Sequence, residues 1–172
     1  MKILGLRKSR VEIMAYSDQW SVEFARERNA LEKVIAPPVI DIHHFGGTAI
    51  VGCSSKPILD IAATIPALSQ VCDILSCLRD LGYGHSWVYV LPDRVCLTKG
   101  NPVTHHLYFV DQTSHTLRLW LAFRDLLRKD ESLRIGYTSL KRKLADEFPQ
   151  NRNAYTQAKT DFILEALQNE RK

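Results

Sequence analysis

The stretch that most constrains the fold of this chain runs from residue 39 to residue 65 and reads VIDIHHFGGTAIVGCSSKPILDIAATI. Two apolar runs rich in β-branched residues flank the pair Gly46-Gly47, which predicts two strands joined through a glycine turn. A lone carboxylate, Asp60, lies early in the second run, between two apolar residues. Because side chains alternate along a strand, Asp60 is expected to point to the face opposite its neighbours.

The glycine turn also predicts a binding site for an anion. Thr48 follows the turn as a candidate helix cap, and the backbone N–H groups of such a turn can converge on negative charge. A carboxylate that faces a glycine turn is one way in which proteins hold a metal and a phosphate together. Gly46, Gly47 and Thr48 are therefore predicted to bind phosphate beside Asp60.

Composition limits the class of protein. The chain has 172 residues, 45% of them hydrophobic and 24% charged, as expected for one soluble globular domain. A net charge of +4 suits a small anionic ligand but is low for a nucleic-acid-binding protein, so nucleic acid is not the expected partner. No apolar run approaches the roughly 18–20 residues that span a bilayer, so a membrane is not expected either. The four cysteines form no CxxC pair, which favours a reducing, cytoplasmic location.

The rest of the chain predicts a single α+β domain over residues 11–172, after a flexible basic arm over residues 1–10. Apolar residues at helical spacing predict one helix from a cap at Ser17-Asp18 to Ala36 and another over 68–81. Beyond residue 114 the same spacing predicts three more helices. The segments expected to form further strands are 11–16, 83–90, 94–98 and 104–110. The expected fold is a mixed β-sheet flanked by helices, with a helical C-terminal third.

Several ordered motifs resemble the GrpB family. The first two are His44-Phe-Gly-Gly-Thr48-Ala and Lys56-Pro-Ile-Leu-Asp60-Ile. Later segments agree with the same family, namely Lys99-Gly100, Thr104-His105-His106-Leu107, Leu121-Ala-Phe-Arg124-Asp125, Tyr137 to Lys141 and Arg152 to Ile163. The resemblance covers about residues 11–167. It implies the nucleotidyltransferase fold, a mixed sheet with a glycine turn at its active edge. It implies much less about the reaction, for which binding of a nucleotide and a metal with transferase activity is one hypothesis.

The chain departs from the nucleotidyltransferase pattern at one decisive position. That pattern places an Asp-x-Asp or Asp-x-Glu pair about a dozen residues after the glycine turn. Here Asp60 is the first residue of the pair, and Ala62 occupies the position of the second carboxylate. Two metal ions that bridge a triphosphate normally need two or three carboxylates, so the usual two-metal site is not expected. GrpB-like sequences commonly share this loss. Three further positions are unusual for the family: His43 replaces a common acidic residue, Gly47 a common serine and Tyr108 a frequent histidine.

The candidate metal ligands are His44, Asp60 and His106. Along their predicted strand His106 and Tyr108 share one face, and His105 lies on the other. If that strand neighbours the strand of Asp60, His106 faces the same cleft as His44 and Asp60, and Asp60 with His106 is the predicted catalytic pair. Such a set could hold Mg, Mn or Zn, and its two imidazoles favour zinc, manganese or iron over magnesium. The alternative is that His105 and His106 are hydrogen-bonded strand residues and that Asp60 is a capping or salt-bridged carboxylate.

Six cations in or beside the motif segments form the candidate phosphate-binding set: Lys56, Arg94, Lys99, Arg124, Lys141 and Lys159. For each of them alone, the alternative is a solvated surface charge. The aromatic residues Trp20, Trp120, Phe123 and Phe162 fall at helical spacing, which predicts core packing and not a base-stacking platform.

Two functions therefore remain open. The first is a metal-dependent enzyme that transfers a nucleotidyl or phosphoryl group on a nucleotide or a phosphorylated small molecule. The second is a non-catalytic module that binds a nucleotide or coenzyme and has a degenerate metal site. Ala62 favours the second function, or an unusual chemistry with one metal. A third and weaker alternative is a structural partner domain, because the C-terminal third is helical.

Overall fold

A five-stranded mixed β-sheet forms the centre of the fold in this computed structural model. The structure describes residues 3–7 and 10–170, and for residues 85–89 it describes the backbone alone. The strand order is β1-β2-β5-β4-β3. The strands β2 and β5 are parallel, and the other neighbouring pairs are antiparallel. The strand bounds are β1 Asp41–Phe45, β2 Leu59–Ile65, β3 Tyr83–Leu91, β4 Arg94–Lys99 and β5 His105–Asp111. The expected mixed sheet is confirmed.

Helices flank this sheet, also as expected. The α-helices are α1 Gln19–Ile35, α2 Val71–Asp80, α3 His115–Lys129, α4 Glu131–Glu147, α5 Arg152–Gln157 and α6 Thr160–Asn169, and two short 3₁₀ helices span Gly47–Ala49 and Leu68–Gln70. The last helix expected from the sequence is divided in two, because the chain turns between Gln157 and Thr160. Within the described residues, no helix combines the length and apolarity needed to cross a membrane.

Alternation along the strands gives the sheet two different faces. One face carries the larger hydrophobic core, in which sheet residues such as Ile61 and Phe109 pack against Trp20 and Leu31 of α1 and Leu78 of α2. The opposite face is covered only in part by α3, through a smaller cluster around Ala62, Phe45 and Leu117. The polar residues of β2, β4 and β5 that lie on this second face therefore border open space and not a packed core.

Two expectations for the N-terminal region differ from the structure. Residues 11–16 form no strand of their own, and only Met14 pairs with Ser55 in an isolated bridge. Residues 3–7 pack on the domain instead of forming a loose arm, because Leu6 pairs with Val103 and both Leu4 and Leu6 are buried. Residues 1, 2, 8 and 9 of the expected arm lie outside the described residues.

Candidate functional site

A cavity of about 750 Å³ lies between the second face of the sheet and the C-terminal helices. Its sheet wall comes from β1, β2, β4 and β5, and its far wall from α3 to α6. Its charged residues and its histidine are Lys56, Asp60, Arg94, His106, Arg124, Lys141, Arg152 and Lys159. Among the lining residues that the structure describes, Asp60 is the only carboxylate. The cavity therefore has a large excess of positive charge.

The glycine turn lies directly against Asp60, as the sequence predicted. Gly46 has φ of +69°, a conformation that favours glycine, and a Cβ atom built there would be 2.5 Å from Oδ2 of Asp60. At Gly47 such an atom would be 1.9 Å from Oγ of Ser55 and 3.0 Å from Nζ of Lys141. The turn therefore uses glycine at both positions because other polar side chains already occupy the space.

The predicted role of Thr48 as a helix cap is wrong. Thr48 lies inside the three-residue 3₁₀ helix, and Gly46 is the residue at its N-cap position. The Thr48 hydroxyl instead lies 3.0 Å from Nε2 of His44 and donates to the carbonyl of Ile58 at 3.4 Å. Thr48 thus ties the turn to the start of β2, while still lining the cavity.

Asp60 and His106 form a close pair on the cavity wall. They are direct partners across the parallel strands β2 and β5, and Nδ1 of His106 lies 3.0 Å from Oδ1 of Asp60. Burial opposes ionisation of Asp60, but the hydrogen bond from His106 and the charges of His106, Lys56 and Lys159 lower the pKa of its carboxyl below the ordinary value. The prediction that His106 neighbours Asp60 on one face is confirmed, with His105 on the other.

Two lysines share one aromatic ring deep in the cavity. The Nζ atoms of Lys56 and Lys159 lie 5.3 Å and 4.4 Å from the ring centroid of the buried Tyr155. Burial, together with the neighbouring cations, lowers the pKa of Lys56 to about 8 and that of Lys159 to about 7, while Asp60 acts in the opposite direction. In the described part of the chain neither ammonium has a carboxylate partner in an ion pair. An anion bound here would relieve the repulsion between them.

Lys141 is also at the cavity, but its ammonium group is already bound by the protein. It donates to the carbonyl of Ser54, to Oγ of Ser55 at 2.9 Å and to Sγ of Cys53 at 3.1 Å. Burial lowers the pKa of Lys141, and Cys53 acts against that shift. Lys141 therefore holds the segment that precedes Lys56 in place and adds a fixed positive charge beside Gly47.

The two predicted arginines line the cavity with their guanidinium groups partly engaged. Arg94 binds the carboxylate of Asp93 and lies over the ring of Trp120, with 5.7 Å between Cζ and the ring centroid. Arg124 binds Asp125 and donates to the backbone carbonyl of His44 at 2.9 Å. Both residues contribute positive potential, and Arg124 in addition ties α3 to the end of β1.

The structure does not bring His44 to Asp60 and His106. His44 pairs with Ile61 across β1 and β2, which places it on the sheet face that α1 and α2 cover. Its ring stacks there on Phe24, with centroids 4.5 Å apart. Burial lowers the pKa of its imidazole to about 4. The expected three-ligand set of His44, Asp60 and His106 is therefore not assembled, because adjacent residues of a strand face opposite sides.

Lys99 likewise lies on the sheet face that α1 and α2 cover, away from the cavity. Its ammonium nitrogen is 2.8 Å from both carboxylate oxygens of Glu27 in α1, and Nε2 of His105 is 3.7 Å from the same carboxylate. Glu27 is buried, so this pairing supplies its counter-charge. Lys99 is thus a structural cation that fixes α1 to the sheet.

The residues around the cavity do not fit the two-metal site of nucleotidyltransferases, as the sequence led us to expect. Ala62, at the position of the second carboxylate, is fully buried against Phe45, Val110 and Leu117. The described part of the chain contains no group of three or more His, Cys, Asp or Glu side chains placed to hold a metal ion. Asp60 and His106 alone provide too few protein ligands for a two-metal site.

Sequence reasoning missed several residues of the cavity wall. Trp120 and Phe123, expected in the core, line the cavity, and Trp120 stacks on Phe45 with ring centroids 4.4 Å apart and planes 5° from parallel. Ser55 and Tyr155 were also missed. Tyr155 lies in α5 and Lys159 in the turn that follows it, so the contact between them was not predictable from helical spacing.

Comparison with known proteins identifies a family that matches most of the chain. The model of the family described as GrpB protein matches residues 10–169. UPF0157 protein YqkA of Bacillus subtilis is 32% identical over 163 residues, covering 94% of this chain and 48% of YqkA, so the chain spans about half the length of that relative. The Glutamate-rich protein GrpB of Alkalihalophilus pseudofirmus is 31% identical over 171 residues, covering 96% of this chain and 98% of that protein.

Solved structures show the same fold. The crystal structure of GrpB from Enterococcus faecalis has a TM-score of 0.82 at 25% identity and covers 94% of this chain and all of that one. A Cid1 poly(U) polymerase bound to MgATP has a TM-score of 0.55 at 13% identity, covering 78% of this chain and 44% of its own, and therefore shows the fold alone. The sheet is thus nucleotidyltransferase-like. With a family match that spans nearly its whole length, the chain belongs to the GrpB family.

Proposed function

We propose that the cavity binds a small phosphorylated anion of the nucleotide or coenzyme class, and that the protein is a ligand-binding member of its family. The observation that carries this proposal is the charge of the cavity wall, in which three lysines and three arginines surround a single carboxylate among the described lining residues. Concentrated positive charge in a partly dry cavity favours a ligand with several negative charges. A cytoplasmic location would give such a protein access to nucleotides.

The phosphate end of the ligand belongs at Lys56 and Lys159. These two ammonium groups contact the same tyrosine ring and repel each other, so a phosphate that reached both would gain two charge-assisted hydrogen bonds. Phosphate is also the anion whose charge best offsets the neighbouring Lys141 and the turn at Gly46 and Gly47. A single carboxylate group, with one negative charge, would offset fewer of these charges.

The apolar end of the ligand belongs near Trp120 of α3. Trp120 lines the cavity between Phe45, on which it stacks, and the guanidinium group of Arg94. A planar heterocycle could contact this aromatic edge while its phosphates reach the lysines, and a volume of about 750 Å³ accommodates a ligand of that size. This division into a charged and an aromatic end favours a nucleotide over inorganic phosphate.

Transfer of a nucleotidyl or phosphoryl group with the help of a metal is the second candidate function. The position of Asp60 beside the glycine turn on a nucleotidyltransferase-like sheet favours it. The buried Ala62 weighs against it, because the second carboxylate is missing. Ligand binding without metal-dependent transfer therefore ranks first.

A thermal-shift screen separates the two candidates. The protein is heated with nucleotides, dephospho-coenzyme A or coenzyme A, each with Mg, Mn or Zn and, in parallel, with a chelator. A ligand at about 100 times its dissociation constant stabilises the folded state by about 2.7 kcal/mol, which is a clear rise in Tm. A rise in chelator supports the binding function, and a rise that requires both metal and nucleotide supports transfer. No rise with any ligand contradicts both.

A further inference from the structure

We propose that Asp60 and His106 form a general-base pair which hydrolyses a phosphate ester or phosphoanhydride bond of the bound ligand without a metal ion. This activity rests on the proposed binding of a phosphorylated ligand in the same cavity. It goes beyond binding because it assigns a reaction to two residues that a depleted metal site would leave without a role.

The geometry of the pair is that of an oriented base. Asp60 and His106 are register partners on β2 and β5, which both lie in the interior of the sheet, so their backbones are held on both sides. Nδ1 of His106 is 3.0 Å from Oδ1 of Asp60, and both side chains line the cavity. A carboxylate that contacts one ring nitrogen fixes the orientation of the imidazole and leaves the other nitrogen for chemistry.

The contact also determines which nitrogen of His106 can accept a proton. An ionised carboxylate is only an acceptor, so Nδ1 of His106 must carry the hydrogen that bonds to Asp60. In the neutral imidazole, Nε2 then has a free lone pair. His106 is therefore held in the tautomer that a general base needs, with Asp60 placed to stabilise the imidazolium that forms.

The reaction balances with groups present in the cavity and one water molecule. The oxygen of water bonds to phosphorus while Nε2 of His106 takes its proton, and the bond between phosphorus and the leaving oxygen breaks. The imidazolium then returns the proton to that oxygen, which gives a free hydroxyl or phosphate and a second phosphate product. Lys56 and Lys159, near enough for their charges to act on Asp60, neutralise the phosphoryl oxygens in the way that metal ions otherwise do.

The other two buried histidines of the sheet provide a contrast. His44 and His105 lie on the sheet face that α1 and α2 cover. His44 contacts the hydroxyl group of Thr48, and His105 contacts that of Thr104. Neither of them lines the cavity. The arrangement of His106 is thus not a general consequence of placing histidine in this sheet.

ATP in the presence of EDTA is the probe for this activity. Binding is measured by isothermal titration calorimetry, and released phosphate or pyrophosphate by phosphorus NMR. We expect metal-free hydrolysis by the wild type that falls at least about 100-fold in His106→Gln and at least about 10-fold in Asp60→Asn, with ATP affinity within about threefold of the wild type. His115→Gln, the same change at an exposed histidine outside the cavity, should keep the wild-type rate.

Three outcomes are distinguishable. Hydrolysis in EDTA that is lost in His106→Gln supports the general-base pair. Bound ATP that is not hydrolysed, or is hydrolysed equally well by His106→Gln, overturns the pair but leaves the binding function intact. Failure of ATP to bind contradicts the proposed function and the hydrolysis with it.

A second measurement tests the pair without any ligand. Nitrogen NMR of labelled imidazoles should show neutral His106 with its hydrogen on Nδ1, and Asp60→Ala should shift it to the Nε2–H tautomer that free histidine prefers. A merely structural histidine that is hydrogen-bonded through Nε2 would show the opposite tautomer in the wild type and would overturn the proposal.

Discussion

Gly46 lies so close to Asp60 that a side chain at position 46 would collide with the Asp60 carboxylate. A Cβ atom on Gly46 would lie 2.5 Å from Oδ2 of Asp60, and the positive φ of Gly46 adds a second obstacle to any other residue. The glycine turn therefore packs directly against the carboxylate of the cavity.

Gly46→Ala tests this contact. We expect a loss of about 2–4 kcal/mol in the free energy of unfolding, because strain at positive φ and displacement of Asp60 add together. Gly136→Ala is the matched control, since Gly136 lies in α4 and a Cβ atom there is no closer than 3.9 Å to Phe162. That change should be neutral or stabilising by up to about 1 kcal/mol. Equal effects of the two variants in urea denaturation would contradict the close contact.

Gly47 and Ser55 are expected to be energetically coupled. Gly47→Ser alone should destabilise the protein by about 2 kcal/mol or more, because its Cβ atom would lie 1.9 Å from Oγ of Ser55. In the Ser55→Gly background that obstacle is gone, so the cost of Gly47→Ser should fall by at least about 1 kcal/mol. A double-mutant cycle on unfolding free energies measures the coupling, and strictly additive effects would refute it.

Lys99→Met should separate stability from ligand binding. Removing the ammonium group leaves the buried carboxylate of Glu27 without its main partner, which should cost about 3 kcal/mol in unfolding free energy. Binding of ATP should be unchanged within about threefold, since Lys99 lies on the opposite face of the sheet from the cavity. A variant that is as stable as the wild type but no longer binds ATP would restore Lys99 to the site.

His44 should make the protein less stable in mild acid. Burial lowers the pKa of His44 from 6.5 to about 4, so between these pH values the unfolded chain binds a proton that the folded chain does not. The contribution of neutral His44 is complete above pH 6.5 and is lost as pH falls towards 4, by about 1–3 kcal/mol in total. Urea denaturation at several pH values should show a shallower loss in His44→Gln than in the wild type. Parallel curves would contradict the buried neutral state.

Alternation along strands explains what the sequence could predict of this site. It correctly separated His106 from His105 and placed Asp60 on the face opposite Leu59 and Ile61, because a period of two is a local property. It was not applied to His44, which was assigned to the cleft although Phe45, its neighbour, is the register partner of Asp60.

The rest of the site depends on contacts between distant parts of the chain. Lys141 and Lys159 reach the cavity from α4 and from the turn before α6, and no local pattern states which face of the sheet those helices cover. The same holds for Lys99, whose partner Glu27 lies 72 residues away in the sequence. Such pairings follow from the packing of whole helices and strands, which cannot be predicted from the spacing of neighbouring residues in one sequence.

Calorimetric titration of ATP in EDTA, at pH 6.5 and at pH 9, tests whether the cavity is a cationic phosphate site. Anion binding needs charged lysines, and the pKa values of Lys159 and Lys56 are about 7 and about 8, so affinity should fall at least about tenfold between the two pH values. Lys159→Met should lose at least about tenfold in affinity at pH 6.5, whereas Lys129→Met, a change at an exposed lysine, should bind as the wild type does. ATP that binds equally well at both pH values and to both variants would contradict a cationic phosphate site in this cavity.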